Sequence, residues 1–316
     1  MNHDPRAVAE RLAAVYGHSV ESPVMYPTGV AFLGRLRLAD GASDVVDDIA
    51  RLVEPLVSEP DSVPDWAPCL AMACFADALF EATDDRRYRD FLVHQANRFA
   101  ADPDIRVEDF FFAGTLLGRA HAVTGDESHR RRLLDFLGSV DTRQPNGLYW
   151  HCHASPYFWG RGNAFAALGF AEALSHLGVA AAEDLAAAHL EHLSALARHQ
   201  DECGLWRQLI DAPETYLEHS ATTMIGIALA RGQRDGLLPD DPWRSVAERA
   251  WDGAAARIGP NGELDQVCVG TGPLESRQDY VERAFSTGTD PRGGAMALWF
   301  AAEMAALVST ESETTT

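Results

Sequence analysis

Residues 161–199 read RGNAFAALGFAEALSHLG followed by VAAAEDLAAAHLEHLSALARH, and the way these residues must fold sets the architecture of the whole chain. Alanine dominates, and Val179 is the one β-branched residue. Apolar side chains return every three or four positions, as in Phe165–Leu168 and Leu190–Leu193–Leu196. Alanine and straight-chain residues lose little freedom in a helix, and that spacing gathers the apolar groups on one face. Leu177-Gly178 ends the first helix, so the stretch predicts two antiparallel helices joined by a short turn.

The same pattern recurs outward in both directions. Helical segments are expected at 5–16, 24–38, 43–57, 66–83, 86–101, 108–124, 127–139, 161–177, 181–199, 217–232, 241–258 and 291–308. Short polar turns separate several of them: Ala39-Asp40-Gly41, Thr83-Asp84-Asp85, Thr124-Gly125-Asp126 and Leu238-Pro239-Asp240-Asp241. Each ends one helix and offers a carboxylate to cap the next. Longer connections at 140–160, 200–216 and 259–290 are rich in Gly, Pro, Trp, Tyr and His, and all follow odd-numbered helices. Twelve helices in six hairpins, with the elaborate connections on one side, predict an all-α closed ring with a central pocket at one rim. An open solenoid is the alternative, but no sharp repeat of fixed period appears. One domain over residues 1–308 is expected. The Ser, Thr and Glu tail at 309–316 is expected to be disordered.

Composition narrows the function. With 316 residues, 47% of them hydrophobic, the chain has ample material for a large core. All 26 basic residues are Arg, set against 47 acidic ones, for a formal net charge of -21. Such a surface repels phosphate backbones and anionic lipid, so neither nucleic acid nor membrane is expected as a partner. The first eighteen residues mix charges into their apolar positions, unlike a signal peptide. Five cysteines without CxxC spacing read as free thiols in the cytoplasm.

The unusual polar residues cluster. Tyr149-Trp150-His151-Cys152-His153 leads to Tyr157-Phe158-Trp159-Gly160-Arg161-Gly162-Asn163. Aromatic faces suit sugar rings, Arg161 offers a two-pronged clamp for a carboxylate, and the glycines let backbone approach a ligand. The competing reading is a buried aromatic loop with Arg161 paired to an internal carboxylate. Two histidines at 151 and 153 lack the third ligand of a metal motif, so neither metal nor cofactor is expected. Asp109 precedes Phe110-Phe111-Phe112. It is either a helix cap or a desolvated carboxyl with the raised pKa a proton donor needs. Asp65-Trp66 repeats the theme. Two further clusters are Gly204-Leu205-Trp206-Arg207-Gln208 with Tyr216-Leu217-Glu218-His219-Ser220, and Val267-Cys268-Val269-Gly270-Thr271-Gly272.

Together these clusters resemble, in order and spacing, the motifs of glycoside hydrolase family 105, which is close to the unsaturated glucuronyl hydrolases of family 88. The matching motifs are Glu108-Asp109-Phe110, His151 with Trp159-Gly160-Arg161-Gly162-Asn163, Gly204-Leu205-Trp206-Arg207-Gln208 with Tyr216-Leu217-Glu218, and Cys268-Val269-Gly270-Thr271-Gly272. The resemblance implies an (α/α)6 barrel and an enzyme that removes a 4,5-unsaturated uronyl residue from a short oligosaccharide by hydrating the C4=C5 double bond. It implies that Asp109 donates and then accepts the proton. It also implies that His151 hydrogen-bonds the substrate, Arg161 holds the uronate carboxylate and Trp159 packs on the sugar. Asn163, Trp206, Gln208 and Asp65 are counted with the substrate-binding residues. The chain departs from the family at Cys152-His153-Ala154, where Trp and Asp are usual. Two rivals remain: a sugar epimerase or isomerase using His151, His153 and His219, and a barrel that binds oligosaccharide without catalysis.

Overall fold

The computed structural model describes residues 3–314. Twelve helical segments account for most of them: α1 (Pro5–Ala13), α2 (Tyr26–Ala39), α3 (Ser43–Ser58), α4 (67–83), α5 (Arg86–Arg98), α6 (108–124), α7 (Glu127–Gly138), α8 (Gly160–Leu177), α9 (Glu183–Ala197), α10 (His219–Arg234), α11 (Asp240–Ala255) and α12 (Pro291–Thr314). Two are composite. In α4 a 3-10 stretch, Ala71–Phe75, interrupts the α-helix, and in α6 a π-helical stretch spans Gly114–Gly118. A further short helix, Arg277–Val281, lies in the connection before α12.

Burial divides the helices into two classes. The odd-numbered ones bury a single stripe, as Val46, Ile49, Val53 and Val57 do in α3, the pattern of a helix with one face to solvent. The even-numbered ones are buried nearly all round: every residue of α8 from Gly160 to Leu174, and of α10 from His219 to Gly232. Helices apolar on all sides belong inside. The even helices accordingly pack in sequence, α2 on α4, α4 on α6, α6 on α8, α8 on α10, α10 on α12, and α12 closes on α2. The odd helices cover them from outside. The molecule is an (α/α)6 barrel.

Parity also fixes which end carries the site. Every inner-to-outer turn is short. Asp40 and Asp84 end α2 and α4 in the left-handed conformation, and Asp85 and Asp126 cap α5 and α7 through the backbone amides of Arg87 and Ser128. The outer-to-inner connections are the long ones, so they gather at the N-terminal ends of the inner helices. Two of them hold antiparallel pairs not expected from the sequence: β1 (Trp206–Arg207) with β2 (Leu217–Glu218), and β3 (Leu264–Cys268) with β4 (Phe285–Gly288). Because β2 takes residues 217 and 218, α10 starts two residues later than its apolar pattern suggests. There the Glu218 carboxylate accepts the amides of Ser220 and Ala221, and also that of Cys268 on β3.

The opposite end of the barrel is locked by buried charge. Arg119 of α6 donates to Asp77 of α4 at 2.6 Å and to Glu172 of α8 at 2.8 Å, and Arg231 of α10 reaches the same Glu172. The tail expected after residue 308 falls partly on the end of α12, with residues 315–316 outside the described residues. Among the described residues no helix is long and apolar enough to cross a membrane.

Candidate active site

The first turns of five of the six inner helices, all but α10, line a cavity of about 480 Å³. Tyr26 reaches it from α2, Asp65 and Trp66 from the lead into α4, and Glu108 and Asp109 from α6. Arg161 comes from α8 and Arg292 from α12. Four residues singled out from the sequence, Asp65, Asp109, Trp159 and Arg161, therefore line one space.

Asp109 is 5% exposed, and Phe112 and Phe165 share its wall. Phe112 and Phe165 pack on each other and on Tyr26 with ring centroids 5.5–5.8 Å apart. The Asp109 carboxylate accepts the Arg106 amide at 3.2 Å. Burial first, and the neighbouring Glu108 charge second, push its pKa up from 3.8 to about 7, against the smaller downward pull of the Arg106 amide and side chain. A carboxyl poised near neutrality and facing a cavity is suited to both giving and taking a proton.

His151 sits behind this wall instead of on it. It is fully buried, its Nδ1 meets the Tyr280 hydroxyl, and its Nε2 lies 3.2 Å from Glu108 Oε1. Its ring packs on Trp159 with centroids 4.7 Å apart. The substrate contact implied for His151 is thus replaced here by contact with Glu108, which does line the cavity. Trp159 is 1% exposed and lies between His151 and Arg161, whose guanidinium stands 5.1 Å from its ring.

Both terminal nitrogens of Arg161 are engaged, while its buried Nε has no partner among the described residues. Nη1 donates to the Cys268 carbonyl and to Ser220 Oγ, and Nη2 donates to the Val269 carbonyl at 2.7 Å. The arginine is 3% exposed and finds no internal carboxylate partner in these bonds; it grips backbone. The flanking glycines serve packing and not ligand approach. A β-carbon at Gly160 would stand 2.1 Å from the Arg207 carbonyl, and one at Gly162 would stand 2.6 Å from Val107.

Three expected binding residues lie outside the cavity wall. Asn163 spends its amide on the backbone of Tyr149 and Trp159. Trp206 donates its indole N–H to the Leu196 carbonyl, deep in the barrel. Gln208 is fully buried, and among the described residues neither its Oε1 nor its Nε2 has a partner. The histidines invoked for epimerisation are scattered: His153 is half exposed and pairs with Asp141, while His219 is buried beside the Ala254 carbonyl. Among the described residues no group of three or more His, Cys, Asp or Glu is placed to hold a metal ion.

The cavity also holds groups to which the motifs gave no role: Tyr26 and Arg292, which no motif included, and Glu108, quoted only as the neighbour of Asp109. Tyr26 feels both Arg161 and Arg292 on one side and Glu108 and Asp290 on the other, while burial raises its hydroxyl pKa. A positional signal existed for all three. Each stands on the first turn of an even-numbered helix, where the parity of the connections already put the site.

Comparison with known proteins agrees with this fold. Residues 152–308 match the Glycosyl Hydrolase Family 88. The unsaturated rhamnogalacturonyl hydrolase YesR of Bacillus subtilis is 25% identical over 295 residues, covering 81% of this chain and 83% of that one. Among solved structures, a possible member of the GH105 family from Klebsiella pneumoniae superimposes with a TM-score of 0.85 at 20% identity, over 97% of this chain and 94% of the other. The unsaturated glucuronyl hydrolase of Bacillus sp. GL1 gives 0.72 at 16% identity, over 94% of each chain. The resemblance read from the motifs, and the barrel it implies, are borne out.

Proposed function

We propose, from the premise that this chain carries a Glycosyl Hydrolase Family 88 domain, that it is a glycoside hydrolase releasing a 4,5-unsaturated uronyl residue from the non-reducing end of a short oligosaccharide. Asp109 protonates C4 of the alkene, and positive charge spreads over C5 and the ring oxygen. The resulting carboxylate takes a proton from the water that adds at C5, and the hemiketal formed opens and expels the remaining sugar. Both proton steps then pass through one group, which needs a pKa near the working pH.

The observation that carries this reading is Asp109, held near 7 in a cavity it shares with Arg161 and Arg292. Those arginines give a uronate carboxylate a local positive field in a chain of net charge -21. Trp159 and Phe165 supply apolar wall for the sugar. Burial first, and the Glu108 charge beside it second, raise the pKa of Asp109 and so favour its protonated form. Five free cysteines support a reducing, cytoplasmic setting.

The test is a panel of disaccharides made by polysaccharide lyases, with loss of the ultraviolet absorbance of the conjugated alkene as the signal. Turnover by the wild type and none by Asp109→Asn is the expected result. Turnover only of saturated sugars, with solvent deuterium entering the product, would point to the epimerase instead.

A further inference from the structure

We propose that Tyr280, on the short helix Arg277–Val281, is a positioning residue for the proton chemistry of the cavity. Its hydroxyl fixes His151 as the Nε2–H tautomer, which turns a donor onto Glu108 and holds that carboxylate as an anion beside Asp109. The role given to Asp109 rests on the reading above. The direction of the hydrogen bonds rests on the structure alone.

That direction is set by the one group that cannot reverse. The Leu274 backbone amide lies 3.2 Å from the Tyr280 hydroxyl oxygen, and an amide N–H only donates. Among the described residues the hydroxyl has one other hydrogen-bond partner, His151 Nδ1, so its own proton goes there. Ser155 adjoins the phenol but gives its proton to the Leu274 carbonyl at 2.6 Å. Burial, the largest influence, pushes the Tyr280 pKa up to about 12, so the phenol keeps the proton it donates. A neutral imidazole carries one N–H, and the bond made at one nitrogen decides which. With Nδ1 accepting, Nε2 carries the hydrogen and meets Glu108 Oε1 at 3.2 Å.

The imidazole itself is held from every side. Its ring lies against Trp159 and edge-on to Tyr280, its backbone amide donates to the Tyr157 carbonyl, and its carbonyl accepts the Val107 amide, next to Glu108. These contacts place the ring, and the hydroxyl places its hydrogen. Tyr280 and His151 are both fully buried, so the chain of bonds ends inside the protein and serves orientation instead of conduction. His151 is the one side chain among the described residues that donates a hydrogen bond to the Glu108 carboxylate. Bonds in a chain polarise one another, so donation at Nδ1 strengthens donation at Nε2 and favours the Glu108 anion. The other charged and titratable groups facing the Glu108–Asp109 pair are Tyr26, Asp65, Asp102, Arg106, Arg161 and Arg292 on the cavity wall; Cys152 adjoins Tyr280 behind it.

Two spectroscopic measurements test this without turnover. In the nitrogen-15 spectrum of the labelled wild type at pH 8, the signals lost in His151→Gln should belong to an unprotonated Nδ1 and a protonated Nε2. A protonated Nδ1 would overturn the proposal, whether or not any variant folds. The second follows the Asp109 carboxyl titration by carbon-13 NMR. In Tyr280→Phe, which keeps the ring against Tyr157, the midpoint should fall, by no more than it does in Glu108→Gln. Adding Tyr280→Phe to Glu108→Gln should leave the midpoint where Glu108→Gln put it. An unmoved midpoint in the single variant, or an equal shift in both backgrounds, would mean that Tyr280 acts only on the fold and would overturn its positioning role. The high-pH limb of kcat/KM on a 4,5-unsaturated disaccharide should show the same pattern. If no such sugar is turned over, the proposed reaction falls, and the two spectra still decide the relay.

Discussion

Glu108 and Asp109, consecutive on the first turn of α6, both face one cavity, and the charge of the first is the largest influence after burial in holding the second at a pKa of about 7. A helix N-terminus ordinarily favours two ionised carboxylates. Here aromatic walls and mutual repulsion override that preference at Asp109, which makes the pair a device for storing a proton.

The consequence for catalysis is a pH limb. Asp109 must be protonated to attack the alkene, so kcat/KM should fall as pH rises through about 7. Glu108→Gln removes the like charge and should move that limb to lower pH, with a smaller change in the plateau below it. A pH–rate profile of the two proteins on the same unsaturated disaccharide checks both the position and the direction of the shift.

The same shift affects stability. Because the folded pKa of Asp109 lies above its ordinary value of 3.8, the folded chain retains this proton longer than the unfolded chain does. Its contribution is complete below pH 3.8 and is lost as pH climbs through about 7. Asp109→Asn, which keeps an acceptor for the Arg106 amide, should therefore leave stability at pH 4 nearly unchanged. At pH 8 it should stabilise the chain, by at most about 4 kcal/mol. Urea unfolding at the two pH values measures the difference. A stabilised but inactive protein would fit a functional carboxyl held at a structural cost.

Arg161 makes a different prediction from a simple substrate clamp. It ties α8 to Cys268, Val269 and Ser220, so Arg161→Ala should disorder the 268–272 wall and lower kcat as well as raise KM. Arg161→Lys should fail to restore either, since one ammonium cannot span acceptors fixed for a planar fork. Steady-state kinetics with a melting temperature for each variant distinguishes this from a loss of binding alone.

How much of this was legible beforehand follows from where each signal lives. The barrel is written in local patterns: twelve segments with apolar residues at three- and four-residue spacing, and the alternation of short Asp-bearing turns with long connections. Asp109 was legible because its triple phenylalanine neighbourhood is contiguous in sequence. The positions of His151, Asn163, Trp206 and Gln208 were not. Whether a side chain at a loop–helix junction faces the cavity or the core depends on contacts such as Trp206 with Leu196 and His151 with Tyr280, made across residues with no local pattern. Arg292 lay in plain sight in Asp290-Pro291-Arg292-Gly293, but only the folded barrel brings it to the cavity wall.

The far end of the barrel provides a control on all these readings. Glu172 is fully buried between Arg119 and Arg231 and ties α8 to α6 and α10. Removing it in Glu172→Ala takes the directly bonded carboxylate from Arg231, leaving only the more distant charge of Glu303, and from one edge of Arg119, the kind of break that costs a buried charge network most. A loss of about 3–5 kcal/mol is expected, read as a lower urea midpoint. Asp77, which still holds Arg119 at 2.6 Å, keeps that figure from doubling. Because Glu172 lies at the end of α8 opposite Arg161, kcat measured well below the melting temperature should stay within about twofold of wild type, additivity holding for distant sites. A large fall in kcat with the fold intact would mean that the two ends of the barrel are coupled.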